Sequence, residues 1–313
     1  MKTIVTGANG FLGSYLVKEL IKNNIEVISV VHNKNSNIDS LPKTGNKIIY
    51  CDMSEIEDLT ILISDRDIDL FYHFAWQGSA GKDRTDAKIQ LENSIWTANC
   101  VRVAKVLGCR KFIGAGSIME KETIAAIYSN GNKPGAAYIY GTGKLTAHSI
   151  SKSIAATIGI DHIWGMITNA YGPGEVSPRF INTTLRKIIN KDELQFTSAV
   201  QNYDFVYVTD VAKAFYHIGV QGKAFHCYLI GSYKAKPLKE FIIELRDEIS
   251  PNLSMNFGDI PFTGVNLTLD NFNDESILHD TDYRPSVSFK DGIRSTMKWL
   301  KEMKGKNDSE ISI

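Results

Sequence analysis

Lys2 to Leu16, KTIVTGANGFLGSYL, is a short apolar strand that breaks into glycines and resumes as an amphipathic helix. Ile4 and Val5 supply the strand, and Phe11, Leu12, Tyr15, Leu16 and Leu20 recur behind it at helical spacing. Gly7 permits a sharp turn, Gly10 lets the backbone approach a phosphate, and Gly13 lets the new helix lie tight on the strand. The helix N-terminus is then an anion site. Glycine-rich turns also occur without nucleotides, so the strand-to-helix context is what makes this a dinucleotide signal. The spacing Thr6-Gly7-x-x-Gly10-x-x-Gly13 has two residues between the first glycines where the common fingerprint has one. Gly7, Asn9, Gly10, Phe11, Leu12 and Gly13 are the expected cofactor residues of this turn.

The chain has 313 residues, long enough for a large domain or two lobes. Lys plus Arg and Asp plus Glu are both 35, so neither a nucleic acid nor an anionic membrane is the expected partner. No secretory-type leader and no apolar run of spanning length is present, which points to a soluble, cytoplasmic protein. Cys51, Cys100, Cys109 and Cys227 lack paired spacing and the histidines form no HExxH, so buried free thiols and no metal site are expected.

Glu26 to Val31 reads as a second strand, at whose end a dinucleotide enzyme meets the adenosine ribose. An acidic residue there would repel a 2'-phosphate. This chain offers His32, Asn33 and Lys34 instead, which favours NADP(H) over NAD(H); a plain solvated loop is the alternative. A third run, Lys47 to Tyr50, ends at Cys51-Asp52-Met53, where Asp52 suits a helix cap. Asp69 to Ala75 is a buried strand, and Trp76 to Arg84 a Gly- and Ser-containing loop from which Trp76, Gln77 and Ser79 could meet substrate. Leu91 to Leu107 is helical and contains Asn93, which either steadies the neighbouring backbone or lies on an exposed face.

In Lys111 to Glu122, KFIGAGSIMEKE, Gly114 and Gly116 would weaken a strand unless something lies very close to its backbone. Ser117 ends that strand. Tyr140 and Lys144 follow on a helix, one turn apart on one face. A ketone accepting hydride develops negative charge on oxygen, and a phenol serves as its acid only where a neighbouring cation favours the phenolate. Lys144 is such a cation, Tyr140 the phenol, and Ser117 can hold the carbonyl oxygen. Tyr138 is a rival phenol, but four residues on it meets Thr142. Gly141 and Gly143 cost roughly 1 kcal/mol each against alanine in a helix, a cost easiest to understand where a cofactor comes close.

With these residues in order, the chain resembles an extended short-chain dehydrogenase/reductase of the nucleotide-sugar epimerase/dehydratase family. Asn169-Ala170-Tyr171-Gly172-Pro173-Gly174 matches that family's NxYGPG turn, and Asp204-Phe205-Val206-Tyr207-Val208-Thr209-Asp210-Val211-Ala212 its DFxYVxDVA segment, with Thr209 or Asp210 as helix N-cap. The resemblance implies an α/β fold. A Rossmann-like parallel sheet flanked by helices would occupy 1–170 and 200–232, a smaller substrate-binding lobe 171–199 and 233–303, and a flexible tail 304–313. It implies that Asp52, with Met53 beside it, contacts adenine, that Phe74, Ala75 and Trp76 lie beneath the nicotinamide ribose, and that Asn93, Tyr140 and Lys144 also serve the cofactor. It implies substrate contacts at Trp76, Gln77, Ser117, Ile118, Met119, Asn169, Arg179 and Tyr203, and a homodimer formed through the Leu91 and Tyr140 helices.

Within the family, 4,6-dehydratases carry Asp and Glu directly after the triad hydroxyl, where this chain has Ile118 and Met119. The favoured reading is therefore reduction of a 4-keto-6-deoxy sugar on a nucleotide carrier, similar to CDP-abequose-synthase-type reductases. A 4-epimerase, a reductase of a non-nucleotide carbonyl compound and a non-catalytic dinucleotide sensor are the alternatives. Two departures bear on the substrate. Tyr203 stands where the family has an arginine for the diphosphate, and Asp247 to Tyr283 contains no Lys or Arg. Arg179, Arg186, Lys187, Lys234 or Lys236 would have to substitute.

Overall fold

The computed structural model describes residues 1–310. Seven strands, β1 (Lys2–Thr6), β2 (Glu26–Val31), β3 (Asn46–Tyr50), β4 (Leu70–His73), β5 (Lys111–Ser117), β6 (Asp161–Ile167) and β10 (Cys227–Ile230), form one sheet in the order β10-β6-β5-β4-β1-β2-β3. Every pairing in it is parallel. Short runs, most of them buried on both faces and followed by a helix, leave this as the arrangement that satisfies backbone and core together. The chain adds β2 and β3 on one side of β1 and β4 to β6 on the other, so β1 and β4 flank the switch point where such sheets bind ligands.

Helices α1 (Phe11–Lys22), α2 (Leu59–Leu62), α3 (Ala87–Val106), α4 (Met119–Ile127) and α5 (Ile139–Ile158) alternate with these strands. Ile4, Ile28, Phe71 and Phe112 of the sheet pack with Leu59, Cys100, Val101, Ala104 and Ala155 of the helices in one fully buried cluster. Asp86 caps α3 by accepting from Lys88 and Ile89 N–H at 2.9 and 3.1 Å, which starts that helix four residues before the Leu91 expected from the apolar pattern. The four cysteines are free thiols.

The chain divides into two compact units. The first is Met1–Ile167, Val211–Ile230 and Asp274–Arg284; the second is Thr168–Asp210, Gly231–Asn273 and Pro285–Ile313. Two segments thus fall differently from the expected boundaries. Residues 200–210 join the second unit because β9 (Phe205–Tyr207) pairs with β7 (Asn169–Tyr171) rather than with the large sheet. Asp274–Arg284 joins the first because Asp280 accepts from Lys223 Nζ at 2.6 Å and from the Tyr228 hydroxyl at 2.9 Å. In the second unit α6 (Phe180–Asn190), α8 (Leu238–Ile249) and α10 (Phe289–Glu310) enclose Leu185, Phe196, Phe205, Phe241, Ile242 and Ile293. The strand pair β8 (Asn202–Tyr203) and β11 (Lys236–Pro237) is antiparallel. Asp210 lies in the first turn of α7 (Val208–Val220), and its carboxylate accepts from Ser286 N, Ser286 Oγ and Val287 N. The helical backbone of α10 runs to Glu310, through most of the segment read as a flexible tail, whose last three residues lie outside the described ones.

Candidate active site

At the switch point Thr6 and His73 are register partners, so Gly7 and Phe74 leave the sheet side by side. Gly7 has φ +65°, and a Cβ on it would stand 2.6 Å from the Ala75 nitrogen. A Cβ on Gly13 would overlap the Gly7 carbonyl, so the third glycine does bring helix and turn into contact. Gly10 is the N-cap of α1 and makes no side-chain cap, which leaves the first N–H groups of a 12-residue helix to an outside acceptor. This cradle fits a dinucleotide pyrophosphate. Asn9 donates to the Asn37 carbonyl at 3.0 Å and ties the turn to the next loop.

Asp52 caps the turn that follows β3, accepting from Ser54 N and Oγ at 2.8 Å each, and its other oxygen pairs with His32 Nε2 at 2.5 Å. The Ser54 hydrogen bonds lead in holding its carboxyl below the usual carboxylate range. Asn33 donates toward His32 Nδ1 at 3.0 Å, and Lys34 is exposed on the same loop. Met53 packs on the core cluster, and Phe74 packs edge-on against Phe215, centroids 4.5 Å apart.

Beneath the turn runs a buried polar chain. Thr97 donates to the Asn93 carbonyl at 2.8 Å and accepts from His73 Nε2 at 3.1 Å, while His73 Nδ1 accepts from the Thr6 hydroxyl at 2.8 Å. These partners suit a neutral imidazole, and burial pushes His73 down to about 3. Asn93, 1% exposed, uses its amide on backbone: Oδ1 accepts from Gln77 N at 2.8 Å and Nδ2 donates to the Gln77 and Ile89 carbonyls at 2.9 Å each.

Trp76 is pinned in the same way, its Nε1 donating to Gln90 Oε1 at 2.9 Å. Lys144 Nζ lies 3.6 Å over the Trp76 ring and donates to the Ala115 carbonyl of β5 at 2.8 Å. Tyr140 meets Trp76 edge-on at 6.0 Å, and the Arg84 guanidinium lies 3.9 Å over the Tyr140 ring. Trp76 thus touches both expected members of the triad on α5, each 6% exposed. Ser117, at the end of β5, accepts from Met119 N at 3.2 Å. Ile118 is buried and Met119 half-buried directly after it.

Three groups here escaped sequence reasoning. Arg84 closes the Trp76 loop, donating to the Ser79 carbonyl at 2.8 Å. Gln90 holds that loop through the Gly78 and Asp83 carbonyls at 3.0 and 2.9 Å. Glu120, 1% exposed, accepts from Ser117 N. The signal for Glu120 and its neighbour Trp164 was present in the glycines. A Cβ on Gly114 or Gly116 would overlap the Trp164 indole, so the close approach expected there is an indole and a carboxylate. Gly141 and Gly143 likewise make room for Thr123 and Met119 of α4 and for the Gln90 backbone of α3.

Titration of the fold has a predictable sign. Burial pushes His162, like His73, down to about 3, and pushes the Glu122 carboxyl up to about 7 against the opposing charge of Arg84. Below about pH 6.5 the unfolded chain takes up two imidazole protons that the folded chain refuses; down to about pH 4.5 Glu122 returns one. Stability should therefore fall by about 1.4 kcal/mol per pH unit over that range, more steeply below it. Asp204, also raised by burial, adds to the Glu122 sense at the acid end. Urea midpoints at pH 7, 6 and 5 check this, and a flat profile would show that the two imidazoles are not both held neutral.

In the second unit Asn169 Nδ2 donates to the Asp204 carbonyl at 3.3 Å, and Arg179 Nε lies 3.4 Å from Glu175 Oε2. Arg186 donates to the Glu175 carbonyl at 3.0 Å, and Lys236 pairs with Glu244 at 2.6 Å. Tyr203 stacks on Phe205 at 5.6 Å. Among the described residues no cluster of His, Cys, Asp or Glu could hold a metal, and no helix is long and apolar enough to cross a membrane.

A parallel sheet with a glycine turn at its switch point, and a Ser, Tyr and Lys carried on the strand and helix that follow, is the build of an extended short-chain dehydrogenase/reductase. Residues 3–231 match the model of the NAD dependent epimerase/dehydratase family, and the chain belongs to that family. It is similar to dTDP-glucose 4,6-dehydratase of Salmonella typhimurium, 22% identical over 96% of this chain and 92% of the relative. Among solved structures it is similar to UDP-N-acetylglucosamine 4-epimerase from Methanobrevibacter ruminantium (TM-score 0.81, 20% identity, 96% of this chain and 98% of that one). It is also similar to UDP-glucuronic acid 4-epimerase from Bacillus cereus, solved with UDP-glucuronic acid and NAD (TM-score 0.78, 23% identity, 97% and 100%). The chain is accordingly a dinucleotide-dependent enzyme of the nucleotide-sugar epimerase/dehydratase type.

Proposed function

We propose that this enzyme reduces a keto group on a nucleotide-activated 4-keto-6-deoxy sugar with NADP(H). The carrying observation is the ground around Ser117: Ile118 and Met119 follow it, and Glu120, the first acid after it, has both oxygens engaged by Ser117 N, Trp164 and His148. The site so composed has a hydroxyl, a phenol and a lysine for carbonyl chemistry, with no carboxylate beside the hydroxyl to remove water from a sugar ring. The dinucleotide supplies the hydride when bound. As charge builds on the carbonyl oxygen, Tyr140 gives it a proton, Ser117 donates a hydrogen bond to it, and Lys144 favours the phenolate that remains.

The proposed preference for NADP(H) is supported by His32, Asn33 and Lys34, which share one exposed loop, and by the Asp52 carboxylate being engaged by Ser54 and His32. Replacing His32 by Asp should weaken NADPH at least tenfold while sparing NADH, measured by dinucleotide fluorescence titration; an unchanged ratio removes this loop from the discrimination. Arg179, partly exposed in the segment after the NxYGPG turn, is the proposed donor to the diphosphate in place of the arginine absent at Tyr203. Dimerisation is proposed through α3 and α5, which expose Leu91, Ile95 and Ile150, and sedimentation checks it.

The deciding assay mixes the protein with NADPH and UDP-, dTDP-, CDP- and GDP-linked 4-keto-6-deoxy sugars and follows both dinucleotide oxidation and product mass. Stoichiometric oxidation with a gain of two mass units is expected. A parallel mixture holds the corresponding 4-hydroxyl nucleotide sugars with NAD+ or NADP+: inversion at C4 with no net dinucleotide change would make the enzyme a 4-epimerase, and loss of 18 mass units would make it a dehydratase drawing on Glu122.

A further inference from the structure

We propose that Glu120 is a positioning residue for Ser117, a role that rests on the carbonyl chemistry proposed above. Glu120 lies three residues past Ser117 in the first turn of α4 and is 1% exposed. Its Oε1 accepts from Ser117 N at 2.9 Å and from Trp164 Nε1 at 2.9 Å, and its Oε2 pairs with His148 Nδ1 at 3.1 Å. The His148 ring stacks on the Trp164 indole, centroids 4.7 Å apart and 7° from parallel, so both outer donors stand in one rigid wall.

A buried carboxylate is costly to desolvate, and a group needed only to fill space would be replaced by an apolar residue of similar volume without loss. What the charge provides here is a set of charge-assisted hydrogen bonds, one of which ends on the backbone of the residue whose hydroxyl is to meet the carbonyl oxygen. The strand is shaped to allow it. Gly116, immediately before Ser117, is the position where a Cβ would stand 2.7 Å from Glu120 Oε1 and overlap Trp164 Nε1. Ser117 is therefore held from two directions: its N–H by the carboxylate, and its Oγ by the Met119 N–H at 3.2 Å. The hydroxyl hydrogen is left for substrate. Glu120 does not touch the reacting atoms in this account; it acts through Ser117.

The test uses the full chain and two substitutions. Glu120→Gln keeps volume and an acceptor but loses the charge, and His148→Phe keeps the stacked ring but loses the outer donor. The first readout needs no substrate: the Ser117 amide and Trp164 indole protons, observed by NMR on labelled protein, should both move upfield in Glu120→Gln. A Ser117 amide that stays in place overturns the contact. The second readout is a cycle with Ser117→Ala. Glu120→Gln should lower kcat about tenfold or more at nearly constant KM and melting temperature, the scale of a small misplacement of a reacting group, and should have no further effect once Ser117 has been replaced by alanine. His148→Phe should show the same pattern at smaller size. Equal losses with and without the Ser117→Ala substitution, or none in either variant, overturn the role. Failure of the unsubstituted protein to turn over any carbonyl sinks the proposed reaction instead, and the amide signal then decides the contact alone.

Discussion

Tyr140→Phe is expected to reduce turnover by about 10²- to 10⁴-fold, the range a positioned general acid contributes, while leaving dinucleotide affinity and melting temperature within experimental error. The structure separates these readouts because the substitution removes one oxygen and keeps the ring. Trp76 meets that ring by its edge and Arg84 lies over its face, and neither contact uses the hydroxyl. The buried chain through Thr6, His73 and Thr97 and the uncapped start of α1 are untouched, so the expected cofactor cradle persists. Single-turnover kinetics with tritiated or deuterated NADPH, beside calorimetric titration of the cofactor, would show it. Turnover within fivefold of the unsubstituted enzyme would exclude Tyr140 as the acid and direct attention to Tyr138 or Glu122.

Gly114→Ala is expected to destabilise the fold by about 3 kcal/mol, the upper part of the range for over-packing a close-packed core. The general preference runs the other way, since glycine in a strand interior ordinarily costs about 0.5–1 kcal/mol relative to alanine. The Trp164 indole decides the sign. A Cβ at 114 would overlap its six-membered ring, and Trp164, 1% exposed, is held by its bond to Glu120 and by stacking on His148. Thermal unfolding should show a drop of several degrees for a chain of this size. In a Trp164→Leu background the same substitution should cost little, a coupling that reports the contact itself. Stabilisation by Gly114→Ala would mean that the indole does not lie on β5.

The glycines show what could and could not be read in advance. That Gly7 bends, that Gly13 seats a helix and that Gly114 and Gly116 admit a neighbour follow from the missing Cβ, and all are found. What enters the space at 114 and 116 depends on Trp164, some fifty residues away, and no local pattern carries that partner. Most of the sheet strands were legible because they are short runs buried on both faces. Two- and three-residue strands such as β8 and β9 have no periodicity to read. Asn93 was legible as a polar residue inside a helix; its partner Gln77 was not, because the bond joins a helix to a loop sixteen residues earlier. Arg84 and Glu120 escaped because a charged residue in a polar segment is ordinarily solvated, and only tertiary structure shows one on an aromatic face and the other nearly without solvent.

The division of the first unit into three separate stretches of chain has a consequence for synthesis. After β6 is made, the ribosome must translate Thr168 to His226 before β10 is available to pair with it. At roughly 5–20 residues per second this leaves β6 an open edge for several seconds. The strand HIWGMI, nearly devoid of charge, is in that interval a template for any passing chain. Recombinant yield should thus depend on translation speed across residues 168–226, and slow codons there should send more of the product into inclusion bodies than the same codons placed after Ile230.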